Sequence, residues 1–275
     1  MKIGFVFTNY NNSLFTREAI HSIALNSNWN DCYIVVVDNS SDEKDIELLK
    51  EIKRDYPSIH LILNSENLGY FKGLNVGIQY LRSKEEKIDH IIVGNNDLFF
   101  PDGFIHLIYN NLSIFENYAV ISPNIITLDG FHQNPHVVKN ISKFREMIFD
   151  LYFSNYYLSL IIKKVAAVTI NFTDRKDEEQ FDIAQTIYQG HGACYILGPL
   201  FFSNFESLWA PTFIMGEELF LSRQLANKNL RIYYEPSIVV YHHCHATLDK
   251  MPNKKYWEIS RESHKVYRKY VKIWE

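Results

Sequence analysis

Short apolar runs alternate with helical patterns over the first hundred residues, and this alternation limits the possible folds more than any other feature of the sequence. The apolar runs predict strands at residues 3–7, 33–37, 59–63 and 91–93. Apolar residues at helical spacing predict helices at 14–25, 43–56 and 69–81, and another that starts near Pro101. Because strand–helix–strand units join parallel strands, we expect an α/β fold with a mainly parallel central sheet flanked by helices.

A polar cluster directly follows each of the four predicted strands. The clusters occupy residues 8–12, 38–41, 64–69 and 94–97. Asn, Asp and Ser are common turn residues, and a turn accounts for any one cluster equally well. However, Asp38 and Asp97 directly follow buried strands, and the carboxyl ends of parallel strands share one edge of the sheet. The four clusters together therefore predict a polar ligand-binding crevice.

The composition excludes several classes of protein. The formal net charge is −4, which argues against a nucleic-acid-binding protein that relies on bulk positive charge. The three cysteines, Cys32, Cys194 and Cys244, are too far apart for a zinc or disulfide framework, so we expect a reduced, cytoplasmic setting. No apolar run reaches the roughly 20 residues that a transmembrane helix needs. We therefore expect a soluble protein, with peripheral attachment to the inner face of the plasma membrane as the alternative.

Two positions could ligate a metal ion. Asp97 ends the Asn95-Asn96-Asp97 tripeptide after a buried strand, and its carboxylate oxygens suit a hard cation such as Mn²⁺ or Mg²⁺. Later in the chain, residues 231–234 and 238–241 predict two further strands. His242 ends the second of them and is our candidate for a second ligand. Its neighbour His243 would point to the opposite face of that strand, so the two histidines are not expected to share a zinc ion.

Two further motifs have both a structural and a chemical interpretation. Glu217 and Glu218 open a helix after Gly216, where they could stabilise the helix N-terminus or act as a general base. Glycines at 69, 73 and 77 could allow close packing on the sheet, or place a helix N-terminus beside a diphosphate. They do not form the GxGxxG fingerprint, which disfavours a nicotinamide-dependent dehydrogenase.

Taken in order, these motifs resemble glycosyltransferase family 2, the inverting enzymes of the GT-A fold, over about residues 1–245. The matching stretches are 8–11, 37–40, 67–77, 95–97, 192–194, 216–218 and 240–242. The glycine–asparagine pattern most resembles the bacterial rhamnosyltransferase-like branch. The resemblance implies transfer of a hexosyl or deoxyhexosyl group from a UDP- or dTDP-sugar to an acceptor hydroxyl, with inversion. It also implies a growing glycan or lipid-linked saccharide as acceptor, in the synthesis of bacterial surface polysaccharide.

The resemblance also implies roles for individual residues. It makes Glu218 the catalytic base, with Glu217 as the alternative, and makes Asp97 and His242 ligands of a divalent cation. The residues implied in binding the nucleotide-sugar are Thr8, Asn9, Tyr10, Asp38, Asn67, Gly69, Lys72, Asn75 and Asn96. In one continuous GT-A domain, residues 1–125 would form the nucleotide-sugar half and 126–250 a smaller acceptor-binding and catalytic lobe. Residues 251–275 would form a C-terminal helix.

Some features depart from the family pattern and leave alternatives open. The DxD motif is reduced to Asn-Asn-Asp, and a Glu-Glu pair stands where the family has Glu-Asp. No QxxRW motif is present, which favours transfer of a single sugar. A catalytically silent nucleotide-sugar-binding homologue and a sugar nucleotidyltransferase are the alternatives. The latter usually needs a basic, glycine-rich first loop, which 8–12 lacks. The basic and aromatic stretch 143–164 is expected to form a helical pair or a homodimer contact, with membrane contact as the second interpretation.

Overall fold

The apolar runs of the sequence form the centre of a nine-stranded sheet. The computed structural model describes residues 2–86, 88–169, 176–243 and 253–272. The strands are β1 (Ile3–Asn9), β2 (Cys32–Asp38), β3 (His60–Leu63), β4 (His90–Asn95), β5 (Leu98–Phe99), β6 (Val120–Thr127), β7 (Gln185–Ile187), β8 (Cys194–Leu197) and β9 (Ile232–His242). The helices are α1 (Ser13–Ala24), α2 (Glu43–Asp55), α3 (Tyr70–Arg82), α4 (Phe104–Asn110), α5 (Leu112–Phe115), α6 (Lys143–Ser154), α7 (Tyr156–Val168), α8 (Pro199–Asn204), α9 (Glu217–Ala226) and α10 (Asn253–Tyr270).

The order of strands across the sheet is β3-β2-β1-β4-β8-β6-β9-β5, and β7 pairs with β9. The first four strands are parallel, as predicted, and β8 then runs antiparallel to both β4 and β6. The strands predicted at 231–234 and 238–241 are one strand, β9, because the chain bulges at Pro236 and then resumes its parallel pairing with β6. The expected α/β fold with a mainly parallel central sheet is confirmed.

Two apolar clusters fill the space between the sheet and its helices. Successive side chains of a strand point to opposite faces, so Phe5 and Phe7 pack on one side of the sheet and Val6 on the other. The first cluster includes residues of α1, α2 and α4, and the second includes residues of α3 and α9. Gly77 allows α3 to approach closely, because a Cβ atom at this position would lie 2.3 Å from Cγ1 of Val6. The close-packing interpretation therefore holds for Gly77.

The stretch 143–164 lies within a helical hairpin, as expected. Helices α6 and α7 are joined at Asn155, whose side-chain oxygen accepts hydrogen bonds from the first backbone N–H groups of α7. Helix α10 packs against α6, and the tail helix predicted at 254–274 is thus present up to Tyr270. Cys32 and Cys194 are free thiols, whereas Cys244 lies outside the described residues.

Among the helices in the described parts of the chain, none is both long and apolar enough to span a lipid bilayer.

Gly69 fixes the position of the loop that precedes α9. Its φ is +87°, and a Cβ atom on this residue would lie 2.0 Å from the carbonyl oxygen of Phe213. That same oxygen accepts a hydrogen bond from the backbone N–H of Tyr70, at 3.0 Å. The loop formed by residues 211–216 therefore rests directly on the N-terminus of α3, and only glycine fits beneath it.

We expect Gly69→Ala to lower the free energy of unfolding by about 3 kcal/mol, because it adds a steric clash to the strain of a positive φ. Gly130→Ala is the matched control: its φ is +84°, but no atom lies within 4 Å of the added Cβ. It should cost only about 1 kcal/mol. Urea unfolding of both variants measures the difference, and equal losses would show that contact with Phe213 does not constrain position 69.

Candidate active site

Asn9 is the centre of a buried hydrogen-bond network at the carboxyl ends of the strands. It ends β1 and pairs in register with Asp38 at the end of β2. Its side-chain Nδ2 donates to Asp38 Oδ1 (2.9 Å) and to Asp45 Oδ2 (2.7 Å). Its Oδ1 accepts from Thr16 Oγ1 (2.9 Å) and from Asn96 Nδ2 (3.1 Å). A single amide side chain thus joins the segments that follow β1, β2 and β4.

The predicted donor-binding residues Asn9, Asp38 and Asn96 all use their side chains within this network. Asp38 also accepts hydrogen bonds from the backbone N–H and the hydroxyl of Ser41, and Asn96 donates to the carbonyl oxygen of Asn12. All three side chains are buried. They lie beneath the crevice and hold the loops that form its floor.

The other predicted donor-binding residues lie at several places along the edge of the sheet. Thr8 is half-buried and Tyr10 is exposed, whereas the Asn67 side chain accepts a hydrogen bond from the backbone N–H of Gly69. Lys72 is exposed, and Asn75 makes two hydrogen bonds to the backbone of Leu208. Lys72, Asn75 and Leu208 line a separate groove of about 610 Å³, and neither Asp97 nor the Glu217–Glu218 pair lines it.

Asp97 and His242 face each other because β5 and β9 pair at Leu98 and His242. The distance from His242 Nε2 to Asp97 Oδ1 is 3.2 Å, and both side chains are buried. Burial raises the pKa of Asp97, but the neighbouring His242 ring outweighs this effect and leaves the pKa below its ordinary value. His243 points away, towards Glu18 and Phe15, as predicted for neighbours on a strand.

The Asp97–His242 pair has the donor atoms that a divalent cation requires. The Nδ1 atom of His242 lies 2.7 Å from Gln133 Oε1, an acceptor that places the ring proton on Nδ1. The Nε2 atom then accepts a hydrogen bond from Asn95 Nδ2 at 3.2 Å and lies at the same distance from Asp97 Oδ1. Asp97 Oδ1 is buried and has no partner in hydrogen-bond geometry. Either a proton or a cation can lie between these two acceptors. Within the described ranges, no three His, Cys, Asp or Glu side chains converge, so the remaining ligands of a cation would be phosphate or water oxygens.

Glu217 and Glu218 are neighbours in sequence but have different environments. Met215 and Gly216, with φ of 75° and 82°, turn the chain sharply into α9. Glu217 is buried, and its Oε1 has no hydrogen-bond partner. Burial and the nearby charge of Glu218 raise the pKa of Glu217, so its carboxyl retains a proton at higher pH than an exposed one. Glu218 is half-buried, and its Oε1 accepts a hydrogen bond from Gly192 N at 3.2 Å.

Tyr70 lies within the influence of Asp97 and of both glutamates, a position that the sequence did not indicate. Its hydroxyl donates a hydrogen bond to the carbonyl oxygen of Gly192 at 2.9 Å. Burial raises the pKa of Tyr70 far above its ordinary value, and the charges of Glu217, Glu218 and Asp97 raise it further. The charges of three carboxylates therefore act on one phenol.

Gly192 also has a role that was not assigned from sequence, although it lies in a stretch that matches the family pattern. A Cβ atom on Gly192 would be 2.5 Å from Glu218 Oε1, so any larger residue would displace that carboxylate.

Comparison with known proteins identifies the family. The sequence model described as Glycosyl transferase family 2 matches residues 5–165, which is more than half of the chain. The chain belongs to glycosyltransferase family 2. Among curated proteins, none is similar enough in sequence to count as a match.

Solved structures of other glycosyltransferases share the fold. The mannosyltransferase PcManGT from Pyrobaculum calidifontis, in complex with GDP-Man and Mn²⁺, has a TM-score of 0.56 and 13% identity, covering 95% of this chain and 61% of that one. S. aureus TarS 1–349 has a TM-score of 0.51 and 13% identity, with 88% and 60% covered. Its complex with UDP has a TM-score of 0.54 and 12% identity, with 96% and 65% covered. This chain thus spans less than two thirds of each of these relatives, and the expected GT-A fold is confirmed.

We expect Asn9→Leu to destabilise the protein by about 3 kcal/mol, because it removes one hydrogen-bond donor from each of the buried carboxylates of Asp38 and Asp45 and removes the acceptor of Thr16 and Asn96. Asn140→Leu is the control, since Asn140 is exposed and should lose less than about 0.5 kcal/mol. Thermal and urea unfolding give both values. A loss at position 9 no larger than at position 140 would show that the network does not support the crevice.

Proposed function

We propose that this protein transfers a single hexosyl or deoxyhexosyl group, with inversion, from a UDP- or dTDP-sugar to an acceptor hydroxyl. The acceptor would be a growing glycan or a lipid-linked saccharide of bacterial surface polysaccharide synthesis, as expected for a rhamnosyltransferase-like enzyme in the cytoplasm. One observation carries the proposal: Gly192 binds both Glu218 and Tyr70 through its backbone, and the ring of its neighbour His191 lies 5.9 Å from the ring of His242. A phosphate-binding site and a base on one cleft are what direct sugar transfer needs.

On the donor side, Asp97 and His242 would hold Mn²⁺ or Mg²⁺, and Gln133 fixes the histidine ring in the required orientation. When bound, the cation supplies positive charge that stabilises the departing diphosphate. The solved complexes of PcManGT and TarS contain GDP-Man with Mn²⁺ and UDP, respectively, which supports a nucleotide-sugar as donor.

The residues predicted to bind the nucleotide divide into two groups in this proposal. Those at the open edge, Thr8 and Tyr10, would contact the base, while Asn67, Gly69 and Lys72 would lie near the ribose and diphosphate. The buried ones, Asn9, Asp38 and Asn96, would act from below by holding the loops that contact the donor. Asn75 would act through the segment that contains Leu208.

Glu218 is the better candidate for the base. A general base must be ionised before the reaction, and burial keeps the proton on Glu217 more readily than on an exposed carboxyl. Glu218 is accessible and is oriented by the backbone N–H of Gly192. In the proposed step, the acceptor oxygen attacks the anomeric carbon as its proton passes to Glu218. The bond between this carbon and the diphosphate oxygen breaks, and its electron pair leaves with the nucleoside diphosphate.

A catalytically silent homologue would also belong to family 2, and it is the competing interpretation. Replacing the proposed base tests whether the protein is an active enzyme or such a homologue. We expect Glu218→Gln to lower the rate of sugar transfer by about 10³-fold, because the amide cannot accept the proton. Affinity for the nucleotide-sugar should be unchanged. Glu217→Gln is the matched control, because glutamine resembles the protonated carboxyl that Glu217 carries, and it should retain most of the activity.

The measurement is release of nucleoside diphosphate from UDP- and dTDP-sugars in the presence of saccharide acceptors, with affinity obtained by calorimetry. Normal turnover of Glu218→Gln would remove this residue from the proposed role. If the unmodified protein binds a donor but never transfers it, the silent homologue is the better interpretation.

The cation is tested by binding as well as by turnover. We expect Mn²⁺ to raise the affinity of the protein for UDP by about tenfold or more, and excess EDTA to abolish both this increase and sugar transfer. Asp97→Asn and His242→Gln should lose the metal-dependent increase while they retain the metal-free affinity. His243→Gln is the control, because this ring faces away from Asp97. Equal affinities with Mn²⁺ and with EDTA would show that a proton, not a cation, bridges Asp97 and His242.

A further inference from the structure

The hairpin of α6 and α7 has an inverted distribution of polar and apolar residues. Its inner face is polar: Glu146 and Ser159 are buried, and Asp150 is partly covered. Arg268 of α10 reaches both acids, with Nη2 2.6 Å from Glu146 Oε2 and Nε 2.5 Å from Asp150 Oδ1. His264 Nε2 lies 2.6 Å from the same Asp150 oxygen. The charged residues of the hairpin thus attach it to the rest of the protein.

The outer face of the hairpin is exposed to solvent. We define it by the exposed apolar side chains of α6 and α7 named below. On each helix these side chains recur at helical spacing, so they form stripes rather than scattered positions. The residues are Phe144, Met147 and Leu151 on α6, and Tyr157, Leu160, Ile161, Val165 and Val168 on α7. The exposed fractions reach 71% at Phe144, 72% at Tyr157 and 87% at Val168. A continuous exposed apolar surface of this kind marks an interaction site.

The charges on this hairpin identify the partner. Although the whole chain has a net charge of −4, residues 143–168 contain four basic residues, Lys143, Arg145, Lys163 and Lys164. The two acids in the same range, Glu146 and Asp150, are the ones paired with α10. The exposed charged residues of the hairpin, Lys143, Lys163 and Lys164, are therefore all positive, and they accompany the apolar side chains of the outer face. An anionic lipid surface is complementary to both.

The hairpin also adjoins the acceptor side of the cleft. Tyr256 of α10 is close enough to Glu218 of α9 and to Lys163 of α7 for both charges to affect its hydroxyl. Ser263, also on α10, donates a hydrogen bond to the carbonyl oxygen of Ile214, in the loop that leads to Glu217. One helix thus contacts the hairpin on one side and the catalytic loop on the other.

We propose that the outer face of the hairpin binds the surface of a membrane that contains anionic lipids, and so places the cleft beside an acceptor held at the lipid–water interface. The apolar stripes would lie among the acyl chains while the lysine ammonium groups contact lipid phosphates. A second copy of the chain fits less well, because a twofold contact through this face would bring like positive charges together. Binding to lipid requires no sugar transfer, so this inference stands or falls separately from the proposed reaction.

Flotation with lipid vesicles tests the proposal. We expect the full chain to float with vesicles of equal parts phosphatidylglycerol and phosphatidylcholine, less at high salt, and weakly with phosphatidylcholine alone. The double variant Ile161→Asp/Val165→Asp should reduce partitioning about tenfold or more, because it places two carboxylates in the apolar stripe. Leu25→Asp/Leu128→Asp is the matched control: it makes the same change in charge at two exposed leucines outside the hairpin, and should have little effect.

Circular dichroism establishes that both double variants are folded, and sedimentation equilibrium gives their oligomeric state. In addition, Phe144→Trp should show a blue shift of tryptophan emission when the same anionic vesicles are added. Unchanged flotation of Ile161→Asp/Val165→Asp would overturn the proposal. So would a protein that ignores vesicles but is a dimer that this variant converts to monomers, since the outer face would then be a contact between copies.

Discussion

The site depends on the way one buried amide joins the ends of three parallel strands. Parallel strands bring their carboxyl ends to one edge, but the loops that follow would diverge without a shared partner. Asn9 supplies that partner, because its carbonyl oxygen and amino group bind the segments after β1, β2 and β4 at the same time. In a buried setting each of these bonds is expensive to lose, since no water can replace it. The loops at this edge of the sheet are therefore held together by contacts within the protein itself.

The carboxyl groups of Asp97 and Glu217 differ in protonation because their surroundings differ. The Asp97 carboxyl stays ionised because His242 interacts with it, whereas burial beside Glu218 favours the protonated form of Glu217. Glu218 remains accessible and is held by a backbone N–H. The proposed displacement reaction needs one carboxylate that binds a cation and another that accepts a proton, and these different surroundings supply that difference. Tyr70 and Gly192 maintain the spacing between them.

The second half of the chain attaches to this site through α10. Its Arg268 and His264 pair with the acids of the hairpin, and its Ser263 donates a hydrogen bond to Ile214, in the loop before Glu217. The apolar side chains of the hairpin are left outside as a result of this arrangement. The packing of α10 on the hairpin thus has two consequences. Its charged contacts attach the hairpin to the rest of the protein, and the apolar side chains of the hairpin remain exposed.

Much of this could be predicted from the sequence by itself, because it depends on local patterns. The β-branched run of β2, the helical spacing in α2 and the polar residues after each strand fixed the parallel half of the sheet, and Asp97, His242 and Glu218 were candidates because of the element ends they occupy.

The tertiary structure decided what depends on contacts between distant residues. It placed β8 antiparallel between β4 and β6, joined two predicted strands into β9, and turned Asn9, Asp38 and Asn96 inward. It also brought Tyr70 to Gly192 and gave Glu217 and Glu218 different environments. Burial sets hydrogen bonding and pKa, and the burial of a side chain is determined by segments more than a hundred residues away, which no local pattern records.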